Sequence, residues 1–351
     1  MPAPKKRSSR SRRLLVVALL AVIAASLGVA GRELWRHETE DPIRDPAAPA
    51  ATLEVPQGAS ADWIARQISA QGFVHHPLVF RAFVEGRGVG QSLRAGEYAL
   101  DSSMSLAAVV DKLVRGDVVR HEITFPEGKN LAEAAEIAAS KKVDTAAFLD
   151  AANDASAIRD LDPKAKDLEG YLFPDTYDLP RSADAAALVA RMVGRFRSVI
   201  GPELPKIAEA KLTVRDVVTL ASIVELETAR VEERPRIAAV FLNRLAKGMP
   251  LQTDPTVIYA LKTKGTWDGN IRHKDLGLES PFNTYRVAGL PPGPIGSPGR
   301  EALRAVLQPA PVKDLYFVSR NDGSHQFSET LAEHNRAVDI YQKHRASRRE
   351  S

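Results

Sequence analysis

The stretch Leu220–Ala229, LASIVELETA, places Glu225 and Glu227 inside a run that is otherwise almost entirely apolar. Residues 213–230 have helical spacing, and we predict a single helix over this range. At about 100° per residue, bulky apolar side chains surround Glu227 at positions i−7, i−4, i−3 and i+4. These neighbours are Leu220, Ile223, Val224 and Val231. Glu227 therefore lies on the predicted core-facing ridge of the helix.

A carboxyl group on such a ridge has chemical consequences. Burial disfavours the ionised form and raises the pKa, so Glu227 can serve as a general acid near neutral pH. The alternative is an internal ion pair between Glu227 and Arg230, Arg234 or Arg236, which the spacing alone does not distinguish. Glu225 has smaller or charged neighbours and is expected nearer to solvent or to a partner group.

The N-terminus has the pattern of a membrane anchor. Residues 1–13 carry six basic side chains and no acidic one, and the next 18 residues, 14–31, are uncharged. That length is near the ~20 residues needed to cross the hydrocarbon core, and the basic flank favours the cytoplasmic side. We predict a basic cytoplasmic tail at 1–13 and a transmembrane anchor at 14–31. A cleaved signal peptide is the alternative, and both place the body outside the cytoplasm.

Composition excludes several classes of function. The net charge of the chain is +4, and the N-terminal tail alone contributes six positive charges, so the rest of the chain is mildly acidic. We therefore predict no nucleic-acid partner. There is no cysteine, which excludes disulfides, zinc–cysteine sites and a thiol nucleophile. The sequence contains neither HExxH nor a P-loop motif. We therefore predict no metal and no cofactor.

The rest of the chain predicts an α+β protein in several segments. Residues 32–51, polar and then rich in proline and alanine, are predicted as a linker. A strand–turn–helix unit opens a small α+β module at 52–118, and a denser mixed α+β domain follows at 119–345. In that domain, helices are predicted at 130–140, 145–153, 184–200, 213–230, 234–247 and from about Thr330, with a strand at 315–319. The proline- and glycine-rich residues 289–299 are predicted as an ordered or mobile loop.

Two further motifs carry candidate polar groups. In LEGYLFPDTY (Leu168–Tyr177), Glu169 and Asp175 stand beside aromatic residues, a combination that suits sugar recognition or, equally, a turn with core aromatics. In LQTDPTVIYA (Leu251–Ala260), Gln252 and Asp254 precede a helix that begins near Pro255. There a plain N-cap by Asp254 is the favoured interpretation.

Five motifs together resemble one known family. They are LEGYLFPDTY, ASIVELETA, RIAAVFLNRLAKGMPLQTDPTVIYAL, PFNTYRVAGLPPGPIGSPG and LYFVSRNDGSHQFSETLAEHN, in this order. The sequence is similar to the MltG, or YceG-like, endolytic murein transglycosylases from residue 50 to 345 and in the N-terminal anchor. The resemblance implies a single-pass inner-membrane protein with a LysM-like module at 52–118. It also implies a periplasmic catalytic domain that cleaves peptidoglycan glycan strands internally and limits their elongation, with peptidoglycan synthases as partners.

The resemblance also implies the site residues and the chemistry. The second acid of the family's E-x-E-[TA] motif falls on Glu227, the implied catalytic residue. Leu226 stands where lysine is frequent and Phe282 where tyrosine is frequent, and neither alters the catalytic acid. No water is used, because the muramoyl 6-hydroxyl closes a 1,6-anhydro ring. The implied substrate-binding residues are Glu169, Gln252, Asp254, Asn283, Tyr285 and His325.

Two other functions remain open at this level. One is a non-enzymatic protein that binds the cell wall as a scaffold. The other is a hydrolytic muramidase, which would need a second carboxylate about 5–9.5 Å from the first. Asp254 or Glu169 could supply that second carboxylate.

Overall fold

The computed structural model describes residues 9–45, 47–179 and 184–343. The chain divides into two compact units, Met1–His121 and Glu122–Ser351. The helices of the described ranges are α1 (Ser9–Glu40), α2 (Ala61–Ala70), α3 (Pro77–Gly86), α4 (Leu106–Arg115), α5 (Leu131–Ser140), α6 (Thr145–Ala152), α7 (Ala185–Ile200), α8 (Leu204–Glu209), α9 (Val214–Glu227), α10 (Arg234–Ala246), α11 (Asp254–Thr263), α12 (Arg300–Leu307) and α13 (Leu331–Val338). The strands are β1 (Ala51–Val55), β2 (Gly96–Leu100), β3 (His121–Thr124), β4 (Thr176–Leu179), β5 (Tyr316–Ser319) and β6 (His325–Ser328). The chain is therefore mixed α+β, as predicted.

The first unit opens with the apolar helix α1. Within the described residues, the segment Leu14–Glu40 is long and apolar enough to cross a membrane. The helix continues past residue 31, the predicted end of the anchor, into the first part of the predicted linker. Arg36 pairs there with Glu33 and Glu40 at i,i+3 and i,i+4 spacing, which supports a helix in a polar segment.

The remainder of the first unit builds its own core from two strands and three helices. Strands β1 and β2 pair antiparallel, with α2 and α3 between them in the chain. Leu53, Ile64, Phe80, Tyr98 and Leu113 are buried together in this core. Helix α4 ends at Arg115, because its C-cap Gly116 adopts the left-handed conformation, with φ +68°.

The second unit is organised around α9. Thr213 and Asp216 form a capping box that starts this helix, and every residue from Val217 to Val224 is buried. Burial on all sides means that other elements surround the helix. Glu227 is the last residue of the helix and is only partly buried.

The C-terminal end of α9 differs from the prediction of a helix to residue 230. Thr228 adopts an extended conformation, with φ −144° and ψ 137°, so the helix ends at Glu227. Val231 then lies in a short 3₁₀ turn, 48% exposed, and takes no part in the ridge around Glu227. That part of the prediction is wrong, because i+4 neighbours share a face only while the helix continues.

The proline- and glycine-rich segment 289–299 is an ordered loop packed into the unit. The Ile295 N–H donates to the Ser222 hydroxyl of α9 at 3.1 Å, and the Gly128 N–H donates to the Ser297 carbonyl at 2.8 Å. Gly170 has φ +82°, and a Cβ there would lie 2.4 Å from Pro294. Only glycine fits at position 170, where the loop 289–299 packs closely against the motif at 168–177.

Candidate active site

Glu227 lies at the C-terminal end of α9, partly buried, with Leu220, Ile223 and Val224 buried on the same helix. The Thr253 hydroxyl donates a hydrogen bond to Oε2 of Glu227 at 2.8 Å. Burial raises the pKa of Glu227 to about 7, and the negative charge of Asp254 adds to the rise. The hydrogen bond from Thr253 and the charge of His325 lower the pKa. Glu227 is thus a carboxyl group poised between its two protonation states near neutral pH.

The arginines that could have paired with Glu227 are engaged elsewhere. Arg234 forms a buried ion pair with Glu225. Arg236 pairs with Asp314 at 2.6 Å. Arg230 pairs with Glu232 at 3.6 Å and donates to the Asp322 carbonyl. The ion-pair alternative for Glu227 is therefore wrong. The buried ion pair is formed by Glu225, whose side chain contacts a partner group rather than solvent.

A network of threonines fixes the donor to Glu227. The Thr253 N–H donates to the Thr284 hydroxyl at 3.1 Å, and the Thr256 hydroxyl donates to the Thr253 carbonyl at 2.7 Å. The hydroxyls of Thr256 and Thr284 lie 2.9 Å apart. All three residues are buried, so the hydroxyl that faces Glu227 is held in one position. The predicted site residues did not include them, although Thr253 stands between two that were predicted.

Three predicted site residues lie around this acid. Asp254 is the first residue of α11, and the Tyr285 hydroxyl donates to its carboxylate at 2.7 Å. Thr253 is the N-cap, so the expected N-cap role of Asp254 is wrong. Burial, Asp254 and Glu227 all raise the pKa of Tyr285, which keeps its hydroxyl protonated. The Nδ1 atom of His325 lies 2.6 Å from Glu233, and its backbone N–H donates to the same carboxylate at 2.9 Å.

Two other predicted residues have different surroundings. The Gln252 side chain is exposed beside Thr253, and the residue has φ +51°. Asn283 is fully buried, and its amide donates to the carbonyls of Leu276 and Leu278 at 3.0 and 2.8 Å. Asn283 therefore stabilises the loop that carries Tyr285. The predicted contact between Asn283 and substrate is wrong, because its side chain is fully buried.

Glu169 belongs to a separate cavity. Its Oε2 atom accepts from the Leu131 N–H at 3.3 Å and from the Tyr259 hydroxyl at 3.2 Å. Burial raises its pKa to about 8. The cavity that Glu169 lines does not include Glu227 among its walls. Among the described residues, no group of three or more His, Cys, Asp or Glu is arranged to hold a metal ion.

A partly buried acid at a helix end, with the Thr253 hydroxyl bonded to it and the Asp254 carboxylate nearby, defines a candidate acid–base site on a mixed α+β scaffold. The family model of the YceG-like family matches residues 53–340 of this chain. This chain therefore belongs to the YceG-like family.

Named relatives and a solved structure support this assignment. An endolytic murein transglycosylase of Bacillus subtilis (strain 168) is 32% identical over 330 residues, which cover 89% of this chain and 91% of the relative. A protein of the same name from Streptococcus pneumoniae (strain D39) is 31% identical and covers 82% of this chain, although only 57% of that relative is matched. The crystal structure of a yceG-like protein from Listeria monocytogenes is 33% identical, with a TM-score of 0.56, and the match covers 83% of this chain and all of that one.

Proposed function

We propose that this chain is an endolytic murein transglycosylase, a lyase that cleaves the bond between N-acetylmuramic acid and N-acetylglucosamine within peptidoglycan strands. The observation that carries the proposal is Glu227, a partly buried acid with a pKa of about 7 and no ion-pair partner among the described residues. The names of the relatives from Bacillus subtilis and Streptococcus pneumoniae support the same activity.

In the first step, protonated Glu227 donates its proton to the glycosidic oxygen. The bond from the muramoyl C1 atom to that oxygen breaks, and an oxocarbenium-like state develops. Thr253 occupies Oε2 of Glu227, which leaves Oε1 to carry the proton toward the substrate. A pKa near the working pH favours this transfer, because the acid is still protonated yet gives up its proton readily.

In the second step, the Glu227 carboxylate accepts the proton of the muramoyl 6-hydroxyl while O6 bonds to C1. The product carries a 1,6-anhydro ring, no water is consumed, and Glu227 is again protonated. The attacking hydroxyl belongs to the same sugar, so the ring closure benefits from proximity. One carboxyl group therefore acts as both acid and base.

We assign the surrounding polar residues to substrate binding. Tyr285 and His325 offer hydrogen-bonding groups around Glu227, and Gln252 offers an exposed amide beside Thr253. The Asp254 carboxylate has a second function, because its negative charge raises the Glu227 pKa and favours the positive charge that develops on the sugar. A hydrolytic muramidase is the second candidate function, because such an enzyme needs a second carboxylate near the acid. The Asp254 carboxylate is near enough to Glu227 for its charge to raise the Glu227 pKa.

The test is mass spectrometry of the products released from purified cell wall. Glu227→Gln keeps the shape of the side chain but cannot donate a proton, and we expect a loss of 1,6-anhydro product of about 10²–10⁴-fold or more. Glu232→Gln is the matched control, because Glu232 is an exposed glutamate just beyond α9, and it should keep wild-type activity. Reducing ends in place of anhydro ends would establish the muramidase. Wall binding without any cleavage by the wild-type protein would favour the scaffold.

We further propose the placement of the segments in the cell. Residues 1–13 lie in the cytoplasm, 14–31 span the inner membrane, and the catalytic domain at 119–345 acts in the periplasm. The α+β module at 52–118 is LysM-like and binds glycan or positions the catalytic domain. Near the membrane the enzyme would meet newly made strands, so cleavage there limits their elongation beside the peptidoglycan synthases.

A further inference from the structure

A cavity of about 500 Å³ lies in the second unit, and Glu227 is not among the residues that line it. Its walls include the rings of Tyr259 and Phe282 and the prolines Pro292 and Pro294, together with the polar or charged residues Lys166, Asp167, Glu169, Arg215 and Thr263. A volume of this size, lined by both apolar and polar side chains, is typical of sites for small ligands.

Glu169 presents an unsatisfied polar atom in this cavity. The residue is 7% exposed, and its Oε2 atom accepts the Leu131 N–H and the Tyr259 hydroxyl. Its Oε1 atom is buried and has no hydrogen-bond partner in the described structure. Buried polar atoms are nearly always hydrogen-bonded, so an unpaired one beside a cavity indicates a ligand that supplies the partner.

The chemistry of Glu169 narrows the class of ligand. Burial raises its pKa to about 8, so the carboxyl group is largely un-ionised at neutral pH. An un-ionised carboxyl can both donate and accept a hydrogen bond. The complementary partner is a neutral group that also does both, such as an amide or a sugar hydroxyl, rather than a cation.

The apolar walls fit the rest of such a ligand. The rings of Tyr259 and Phe282 have their centroids 4.9 Å apart and are inclined at 55°. Together with the prolines they offer apolar surfaces suited to the hydrophobic face of a pyranose ring. An N-acetylated sugar combines that face with an amide and hydroxyl groups.

Two of the segments that line this cavity also extend to the surroundings of Glu227. Helix α11 begins with Asp254 near Glu227 and carries Tyr259 and Thr263, which lie about 7–14 Å further along its axis at 1.5 Å per residue. The segment from Phe282 to Tyr285 likewise runs from the cavity wall to the Asp254 carboxylate. The cavity therefore lies beside the same helix whose first residue is near Glu227.

We propose that this cavity is a glycan subsite that binds an N-acetylated sugar residue of the strand, which hydrogen-bonds to Glu169 and packs on Tyr259 and Phe282. The inference rests on the proposed function in one respect, because it takes the glycan strand as the ligand. It adds a second point of attachment that makes binding depend on strand length.

The test is calorimetric binding of soluble, uncrosslinked glycan strands of defined length to the full chain in detergent. Glu227→Gln is the background for every variant, so that the strands are not cleaved. Glu169→Leu removes the hydrogen bonds, and we expect it to weaken binding of long strands about tenfold. Glu169→Gln retains a donor and an acceptor and should bind within about twofold of the background protein. The shortest strands, which cannot reach the cavity, should bind all three proteins equally.

Two further variants complete the test: one fills the cavity, and the other is a matched control. Thr263→Trp fills the cavity from an exposed position on α11, so it should weaken long-strand binding even if Glu169→Leu does not fold. Glu136→Leu, an exposed glutamate on α5, is the matched control and should bind like the background protein. Melting curves establish which variants are folded.

The outcomes separate this inference from the proposed function. Long-strand binding that is unchanged in folded Glu169→Leu or in Thr263→Trp overturns the inference. So does equal affinity for de-N-acetylated strands, since the acetamido group would then be irrelevant. If the wild-type protein makes no anhydro product but long strands still require Glu169, the proposed lyase activity fails and the glycan subsite stands.

Discussion

At the scale of single residues, the pKa of Glu227 results from opposing interactions. Burial and the charge of Asp254 raise the pKa, whereas the Thr253 hydroxyl and His325 lower it, and the result is about 7. The hydrogen bond from Thr253 stabilises the ionised form, because a carboxylate is the stronger acceptor. Thr253 therefore limits how far burial can raise the pKa.

Thr253→Val should shift the pH dependence of cleavage. Valine has nearly the same shape but donates no hydrogen bond, so the pKa of Glu227 rises. The limb on which activity falls with increasing pH reports deprotonation of the acid, and we expect it to move to higher pH. The maximal rate should fall as well, because the carboxyl group loses the contact that orients it. The measurement is kcat/KM against pH on soluble strands.

Thr266→Val is the control for this prediction, since Thr266 is an exposed threonine just past the other end of α11. Its pH profile should match that of the wild-type protein. A Thr253→Val profile that moves to lower pH, or does not move, would show that Thr253 does not act on the ionisation of Glu227.

At the scale of elements, the C-terminal end of α9 is tied to its neighbours by one ionic cluster. Arg234, at the start of α10, pairs with Glu225 of α9 and lies 3.5 Å from Glu127. The other carboxylate oxygen of Glu225 accepts the Gly299 N–H at 2.9 Å. A Cβ on Gly299 would lie 1.7 Å from a Glu127 oxygen, so a larger residue there would displace the Glu127 side chain from the cluster. This cluster holds the turn that presents Glu227.

Arg234→Met should destabilise the protein by about 3–5 kcal/mol, because it leaves the buried Glu225 carboxylate without its partner. Adding Glu225→Gln should recover much of that loss, since the unpaired charge is then removed. The measurement is the free energy of unfolding in urea. Arg304→Met breaks the exposed pair with Glu301 and should cost about 1 kcal/mol or less. Equal losses at Arg234 and Arg304 would mean that the buried pair has no special role.

At the scale of the whole molecule, the chain consists of two units with separate hydrophobic cores. Glu227 and its polar neighbours all belong to the second unit. The first unit carries the apolar helix and the α+β module. The proposed chemistry thus requires only the second unit, and we propose that the first attaches it to the membrane and to glycan.

Deleting residues 52–118 should weaken cleavage of intact cell wall more than cleavage of short soluble strands. A module that binds or positions glycan raises the local concentration of an extended substrate but adds nothing for a strand that fits the active site alone. Release of anhydro product from both substrates gives the comparison. Equal losses on the two substrates would contradict a positioning role.

A reporter enzyme that is active only in the cytoplasm should be silent when fused to the C-terminus. We propose that the basic residues before the apolar segment stay on the cytoplasmic side, so that the rest of the chain lies across the membrane. A fusion that lacks residues 14–31 is the control and should be active, because nothing then directs export. Strong activity of the full-length fusion would reverse the proposed topology.

Much of the local structure could be predicted from the sequence, because its causes are local. Helices α5, α6, α7, α10 and α13 lie within a residue or so of their predicted starts. Periodic apolar residues and end signals such as Gly116 and the box of Thr330 with Glu333 act over a few positions. The apolar ridge that raises the pKa of Glu227 is also local, which is why the acid could be found without a structure.

The tertiary structure alone decided which groups meet. The Thr253 hydroxyl lies 26 positions from Glu227 in the chain, and its contact requires α9 and α11 to pack in one particular way. Which glutamate pairs with Arg234, and where α9 ends, depend likewise on the loop 289–299 and on the conformation of Thr228. Periodicity assigns a residue to a face of its own helix, but hydrogen bonds and ion pairs between distant segments depend on distances that only the folded chain sets.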